Sequence, residues 1–574
     1  MTLPARLLAA VLGLAMLTVG CAPPLQTSVQ PQQGVQEKPA SKKVITMADS
    51  YEPKAITETF VVGKQTTNNN IKAIVNDNLL KTLQFQVYEP QLALELPSIE
   101  KGTWKVNGDG TMETTWKLRP NVKWHDGEPF TSADLLFTFQ ASRDTEIAGV
   151  AVSAADRQMA SASAPDPLTF VVHWSAPFVA ASITPSADIL PKHLIEPLYA
   201  RDKQSLTSTA LFSTEFVGLG PYRMTRWEQG SFVETTRFND YYLGRPPLDS
   251  IVVRFVSDPN ALIASILAES VDTVLSAANS GGVSIDQAVE VKRRWEGTGN
   301  QVLTSQTGSV ASANPQYQPQ YARPADTMSN LTVRKALLHA INRPGLTEVL
   351  TAGLSPVADS YYHPSDPLYA EMQPSIARFP YDPTRAQQLL VEAGWNKGAD
   401  GVSTRASDGQ RLELDFWIRG GAGEKAAAII ADDWNRIGVA ATPYVIPPAR
   451  RTDREYEVTR PGFLCCISVP VQNVENGNQL TARSINSAAT NWQGLNYGGY
   501  LNPKADAIVE RLIATIDPRA RLPLQQQLVQ EYTADVALFP LWWVTFPMFL
   551  RQGIKGPREN FTQPLANIFE WDRV

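Results

Sequence analysis

At 574 residues the chain is far longer than the size at which one hydrophobic core stops growing, so two or three domains are expected. With 43% hydrophobic residues, 19% charged residues and 42 prolines, it has the make-up of a loop-rich globular protein. The formal charge of −6 and the lack of a basic stripe argue against nucleic acid or an anionic membrane surface as partner.

The chain begins "MTLPARLLAAVLGLAMLTVGC": one positive charge at Arg6, then an apolar run from Leu7 to Val19. The run is too short to span a bilayer and suits the h-region of a secretory signal over 1–20. Its ending, Thr18-Val19-Gly20-Cys21, resembles a bacterial lipoprotein signal, which implies lipid on Cys21 and a mature protein outside the cytoplasm, in a compartment that permits disulfides. Residues 22–43, rich in Pro, Gln, Ser and Lys, read as a flexible tether.

From residue 44 onward helix and strand patterns alternate, as in an α/β protein. Trp104, Trp116 and Trp124 gather near the turn "NGDGT". In "WHDGEPFTSAD", Asp126-Gly127 reads as a tight turn, and Thr131 with Asp134 as a capping box. His125, Asp126 and Gly127 have a catalytic look, but a structural role is expected for them. Strand-like alternation marks "METTWKLRP", "LTFVVHW" and "SIVVRFVSD". Junctions are expected near 205–217 and 307–328.

Three helices follow from their apolar spacing. The first carries Val333, Ala336, Leu337, Ala340 and Ile341. The second starts with Asp382 as N-cap and Pro383 in the first helical position, and ends at a left-handed Gly394. The third repeats that start with Asn502 and Pro503, and carries Ala505, Ile508, Val509, Leu512 and Ile513. "ALFPLWWVTFPMFL" (537–550) is too short for a membrane span, is interrupted by Pro540 and Pro547, and reads as buried strand.

Enzymatic signatures are scarce. There is no GxSxG, HExxH, GxxxxGK[ST] or GxGxxG motif, and no histidine pairs with another His or Cys at ligand spacing. The Gly-rich "RGGAGEK" (419–425) reads as a flexible turn. No cofactor, metal or catalytic residue is expected, and the chain leans toward binding.

Six blocks resemble, in order, the peptide/nickel-type (family 5) extracellular solute-binding proteins of ABC importers, the group of dipeptide- and oligopeptide-binding lipoproteins. They are 109–139, "DILPKHLIE", "GLGPYRMTRWEQGSFVETTRFNDYYLGRPPLDSIVVRF", "VRKALLHAINR", "YDPTRAQQLLVEAGW" and "YLNPKADAIVERL". The resemblance implies an α/β, two-lobed periplasmic-binding-protein type II fold with an additional domain inserted in the first lobe. It divides the chain into lobe I (44–84, 214–310 and 546–574), the extra domain (85–213) and lobe II (311–545). It implies a monomeric receptor, held at the membrane by the lipid on Cys21. Such a receptor encloses a peptide-like or other medium-sized organic solute by hinge closure and hands it to an ABC permease with its ATPase subunits.

In the peptide-binding members, the resemblance further implies, a segment Val-x-Arg-x-Gly-Trp-x-x-Asp lies at the cleft and its Asp holds the peptide's α-ammonium. Here "VTRPGFLCC" supplies Val458, Arg460 and Gly462, with Phe463 at the Trp position and Cys466 at the Asp position. A neutral thiol cannot pair with an ammonium as a carboxylate does. Either another acid, Asp453 or Glu455, takes over, or the solute lacks a free amino terminus; the second is preferred. Ligand contacts are expected from Tyr444, Arg460, Phe463, Cys465, Cys466, Trp492, Tyr497, Tyr500, Trp542 and Trp543. Adjacent Cα atoms are about 3.8 Å apart and a relaxed disulfide wants roughly 4.4–6.8 Å. Two thiols on opposite faces of an extended strand are therefore expected, with only Cys466 toward the cleft; a vicinal disulfide stays open because the compartment allows it. Two other readings remain: an exported hydrolase or thiol oxidoreductase using the cysteines, and a sensory or scaffold lipoprotein with a degenerate cleft.

Overall fold

Two long antiparallel strands, Gln301–Asn314 and Phe539–Leu550, organise the chain. They lie in the middle of a ten-stranded sheet in the computed structural model, which describes residues 42–57, 60, 68–84, 87–147, 158–185, 187–275, 282–470, 472–490, 492–559 and 563–574. The signal, the tether and Cys21 lie outside the described residues.

On one side of the long pair the sheet continues through Thr273–Leu275, Val44–Asp49, Ser250–Phe255, Phe232–Arg237 and Tyr222–Glu228. On the other side it continues through Phe463–Pro470, Glu413–Ile418 and Ala440–Val445. Each side has its own core. Leu303, Met548 and Leu550, from one end of the long pair, pack with Ile45, Val253 and Trp571. Ala313, Phe539 and Leu541, from the other end, pack with Phe416, Trp434 and Phe463. The fold is α/β and two-lobed, and the long strands run from one lobe into the other.

The pairing of the long strands is interrupted where they pass between the cores. It runs in step from Gln301↔Leu550 to Gln306↔Thr545, then resumes at Val310↔Trp543. The first strand thus advances four residues while its partner advances two, a bulge that bends and twists the pair. A second register shift, between Ala311 and Ser312, accommodates Pro540 opposite Ser312. This explains how a proline-interrupted segment serves as a buried central strand, since proline within a sheet is confined to edges and irregular positions.

A separate four-stranded antiparallel sheet is built from Trp104–Val106, Met112–Lys117, Thr169–Trp174 and Met159–Asp166. Alternation puts Met112, Thr114, Trp116, Phe170, Val172 and Trp174 on its buried face. Trp104 and Trp124 join them, so the three clustered tryptophans form a core beneath the Gly110 turn.

The expected helices form as Leu331–Ala340, Pro383–Glu392 and Pro503–Ala514. Asp382 accepts from Arg385 N at 2.8 Å, and Gly394 takes φ +85°. Asn502 caps Lys504 N and Ala505 N, and Thr131 with Asp134 forms the capping box of Ser132–Ala141. Ile341 lies just past the end of its helix, still fully buried. Among the described residues no helix is long and apolar enough to cross a membrane.

"WHDG" and "GLGPY" are one structural unit. His125 Nε2 donates to Gly220 O at 2.9 Å, while its Nδ1 accepts from Gly218 N at 3.3 Å. A Cβ on Gly220 would sit 2.4 Å from Asn76 N, so only glycine lets this turn pass the end of helix Asn69–Val75. Burial lowers the His125 pKa to about 4, and the ring stays neutral.

Candidate functional site

In open α/β sheets ligands bind beyond the carboxyl ends of the parallel strands. In lobe II those strands are Glu413–Ile418, Ala440–Val445 and the start of Phe463–Pro470. Just past Ile418 come Arg419, two left-handed glycines (Gly420 φ +102°, Gly421 φ +70°) and helix Ala422–Arg436. This edge faces the other lobe. Lys425, in the helix's first turn, stands 3.6 Å from Asp286, in the first turn of helix Ile285–Arg294, which belongs to lobe I.

At this edge Arg419 donates from Nε and Nη2 to both carboxylate oxygens of Glu457, each at 2.6 Å. Arg454 Nη1 donates to the same carboxylate at 3.1 Å. Glu457 has 2% of its side chain exposed, whereas Arg419 has 41%, so a buried acid anchors a partly exposed guanidinium. Hydrogen bonds and attraction from Glu457 outweigh burial and raise the Arg419 pKa. Both guanidiniums also lie against the Tyr497 ring, with Cζ 5.7 Å and 4.9 Å from its centroid.

Arg460, fully buried, lies beside them. Its Nη2 donates to Asn314 O at 2.7 Å and its Nη1 to Tyr497 O at 2.9 Å and Glu457 O at 3.3 Å. It ties Gln301–Asn314 to the 457–460 and 497 segments, with its pKa lowered to about 9 chiefly by burial. Gly462 completes the packing: a Cβ there would sit 2.0 Å from Asp415 O.

The cysteines depart from expectation. Cys465 and Cys466 are joined, Sγ to Sγ at 2.02 Å, so neither is a thiol. Nor do they point to opposite faces. Phe463 and Cys465 pack on the Trp434 side of the sheet, while Leu464, Ile467 and Val469 pack on the other. Cys466 joins Cys465 because its φ of +62° breaks the alternation at that residue. The half-buried Cys466 lies under the start of helix Ala422–Arg436, its sulfur 3.9 Å from Gly423 O.

The remaining candidates divide. Tyr444 stacks on Trp417 (centroids 4.7 Å apart), and its hydroxyl lies 2.7 Å from that of Tyr456, beside the arginine cluster. Trp492, with φ +58°, sits in a turn closed by its N–H to Ser487 O, and is partly exposed. Trp542 is partly buried against the Trp434 core. Phe463, Tyr500 and Trp543 have 0%, 2% and 1% exposure. Phe463 fills the space between Trp434 and Phe539, Tyr500 donates to Asp535 Oδ2 at 2.6 Å, and Trp543 meets the His363 ring edge-on. These three are core residues in the described structure. Asp453 caps helix Arg454–Val458 and pairs with Arg450 at 3.0 Å, and Glu455 is exposed. The acid at the centre of the cluster is Glu457, which sequence reasoning passed over along with Arg419. The available signal was an arginine immediately after a strand of parallel pattern, followed by glycines.

Cavities also lie elsewhere, one lined by Val310, Tyr361 and Pro540 and one beside Phe170; neither is lined by an expected ligand contact. Among the described residues no three His, Cys, Asp or Glu side chains are grouped as a metal site.

Comparison with known proteins agrees with this architecture. A Brucella ovis protein named as a candidate peptide-binding protein of an ABC transporter is 30% identical over 285 residues, 49% of each chain, so the chain spans about half the length of such curated relatives. The oligopeptide-binding protein of Thermus thermophilus, solved with a pentapeptide, superposes with a TM-score of 0.66 at 21% identity, covering 92% of this chain and 96% of that one. NikA of Brucella suis, solved with Fe(III)-EDTA, gives 0.70 at 19%, covering 92% and 100%. The family described as bacterial extracellular solute-binding proteins, family 5 matches residues 88–466, and the chain belongs to that family.

Proposed function

We propose that this chain is the receptor of an ABC importer, capturing a peptide-like or other medium-sized organic solute between its lobes and passing it to a membrane permease. The observation that carries this reading is the long strand pair, continuous through both cores yet interrupted between Gln306 and Val310. Such an interruption is where two rigid lobes turn against each other with little loss of packing. A solute that touches both lobes stabilises the closed form by its extra contacts there. The names of the relatives support the transport setting. We further take the chain to work outside the cytoplasm as a monomer, held by lipid on Cys21, with lobe crossings at 310/311 and 545/546 and an extra domain over 85–213.

The bonded cysteines place no charge at their position, and Asp453 is committed to a cap and to Arg450. That supports a solute without a free ammonium at this point. Native mass spectrometry of freshly purified protein tests the reading. A bound solute of a few hundred daltons that raises Tm when added back is expected. No bound mass, together with no solute that shifts Tm, overturns it.

A further inference from the structure

The bond between Cys465 and Cys466 lies at a junction in the sheet. Phe463 and Leu464 pair with Phe416 and Trp417 of Glu413–Ile418, whereas Ile467 to Pro470 pair with Ser312 to Ser309 of the long strand Gln301–Asn314. Between these stretches the register shifts. From Asn314↔Leu464 to Ser312↔Ile467 the long strand moves two residues and its neighbour three, so Cys465 and Cys466 together stand opposite Ala313. This is a bulge. Beyond it the strand runs on to Ser309, inside the stretch where the pairing of the two long strands is interrupted.

The bond and the bulge depend on each other. Cys466 takes φ +62°, a left-handed conformation that residues other than glycine adopt at a cost. An extended Cys466 would remove the extra residue and slip the pairing of 467–470 by one, turning buried Ile467 and Val469 to the opposite face. Their burial opposes the slip. With the bond open, however, nothing covalent holds Cys466 in the left-handed backbone, and the joint beside the interrupted strands loosens. The same residue supports the lobe edge: a Cβ on Gly423 would lie 3.4 Å from Cys466 Cβ, so the start of helix Ala422–Arg436 rests on it.

We infer that Cys465–Cys466 is a redox-sensitive clamp. Bonded, it fixes the strand beside the hinge; opened by a dithiol, it releases that strand and weakens solute capture. The effect on capture rests on the receptor reading, whereas the clamp itself does not. Access sets the chemistry. Cys465 has 2% exposure and Cys466 is half-buried, so the incoming thiolate attacks Cys466 Sγ. The S–S bond breaks, Cys465 leaves as a thiolate and takes a proton, and Cys466 is joined to the reagent. The second thiol of the reagent then displaces Cys466, which leaves as a thiol. The dithiol ends as a disulfide, having supplied two electrons and two protons.

The test uses the intact chain, left oxidised, treated with dithiothreitol or with a protein dithiol of the Cys-x-x-Cys type, and then reoxidised. Alkylation with peptide mapping reads the two cysteines, and amide hydrogen exchange reads the strands. Calorimetry reads affinity for the solute that co-purifies, or for a pool of N-acetylated tripeptides where none does. Both cysteines should alkylate while the chain stays folded, and exchange should quicken in 463–470 and 306–314. Affinity should fall at least about fivefold, the low end of coupling between linked sites. Reoxidation should reverse all three. Opening by dithiothreitol alone upholds the clamp and assigns it to small thiols rather than a protein partner. Cys465→Ala/Cys466→Ala should behave as the reduced chain and ignore dithiol; a response that persists there overturns the inference. So do cysteines that resist alkylation in the folded chain, or that open with exchange unchanged. Faster exchange with unchanged affinity overturns the control of capture. If neither solute nor tripeptide binds, the receptor reading fails, and exchange alone decides the clamp; the reversible reduction needs no variant to fold.

Discussion

The His125 junction and the Arg419 cluster are both ionisable side chains set beside glycine turns, and from residue types alone the first looks the more chemical. Their surroundings reverse that impression. His125 has both ring nitrogens bonded to backbone of the 218–220 turn and almost no exposure, so it is a neutral brace. Arg419 keeps its charge, is anchored by one buried acid and stays partly exposed. A residue works as scaffold when its partners exhaust its bonding capacity, and is free to bind when they fix it but leave part of that capacity unused.

The glycines test the scaffold half most severely. Gly220→Ala and Gly462→Ala force a methyl to within 2.4 Å of Asn76 N and 2.0 Å of Asp415 O. Each should cost about 3 kcal/mol or prevent folding, as read by urea unfolding. A loss below about 1 kcal/mol would mean that these turns shift easily.

Next come the two arginines, which should separate. Arg460→Met strips donors from three carbonyl oxygens in a buried site and should destabilise by about 2–3 kcal/mol. Arg419→Gln leaves Glu457 paired with Arg454 and should destabilise less while weakening solute binding more. Equal effects on stability and binding from both variants would mean that the two arginines do not differ in role.

A pH titration sharpens the His125 side. Its pKa of about 4 in the folded chain lies below the 6.5 of the unfolded chain, so on acidification the unfolded state takes up the proton first. This contribution to stability is fully present above pH 6.5 and is lost as the pH falls toward 4, on the order of 3 kcal/mol. Asp77, in the same region, works in the opposite direction. Burial lifts its pKa from 3.8 to about 7 although Tyr241 and Tyr242 donate to it, so its contribution is present below 3.8 and is lost as the pH rises toward 7. The two partly cancel in wild type. His125→Gln, which can donate and accept at the same positions, should therefore gain Tm relative to wild type as the pH is lowered from 7 to 4; a constant difference would show that the ring is not held neutral.

The smallest effect is expected from the interlobe pair. Lys425 and Asp286 are about half and mostly exposed, and Asp286→Ala should change stability by less than about 1 kcal/mol.

Much of the fold was legible because local chemistry agreed with tertiary need. Asp382-Pro383, Asn502-Pro503 and Thr131 with Asp134 start helices where their side chains cap them, and the apolar spacing of 333–341 lies in the core. The site was less legible, for two physical reasons. The Trp-like position of Phe463 and the aromatic pair Trp542-Trp543 carry no mark in sequence of which face they take; packing put Phe463 and Trp543 inside. Strand alternation would send Cys466 to the other face, but a left-handed backbone at that residue puts it on its neighbour's face, and the two sulfurs are bonded. Arg419 was overlooked because its importance depends on Glu457, which lies 38 residues away in sequence.

The most direct test of the central claim is small-angle X-ray scattering of the chain before and after saturation with the solute recovered from it. Closure about the interrupted strand pair predicts a radius of gyration that falls by about 1 Å on binding, with Tm raised in the same samples. A solute that binds and raises Tm while the scattering profile stays unchanged would contradict capture by hinge closure.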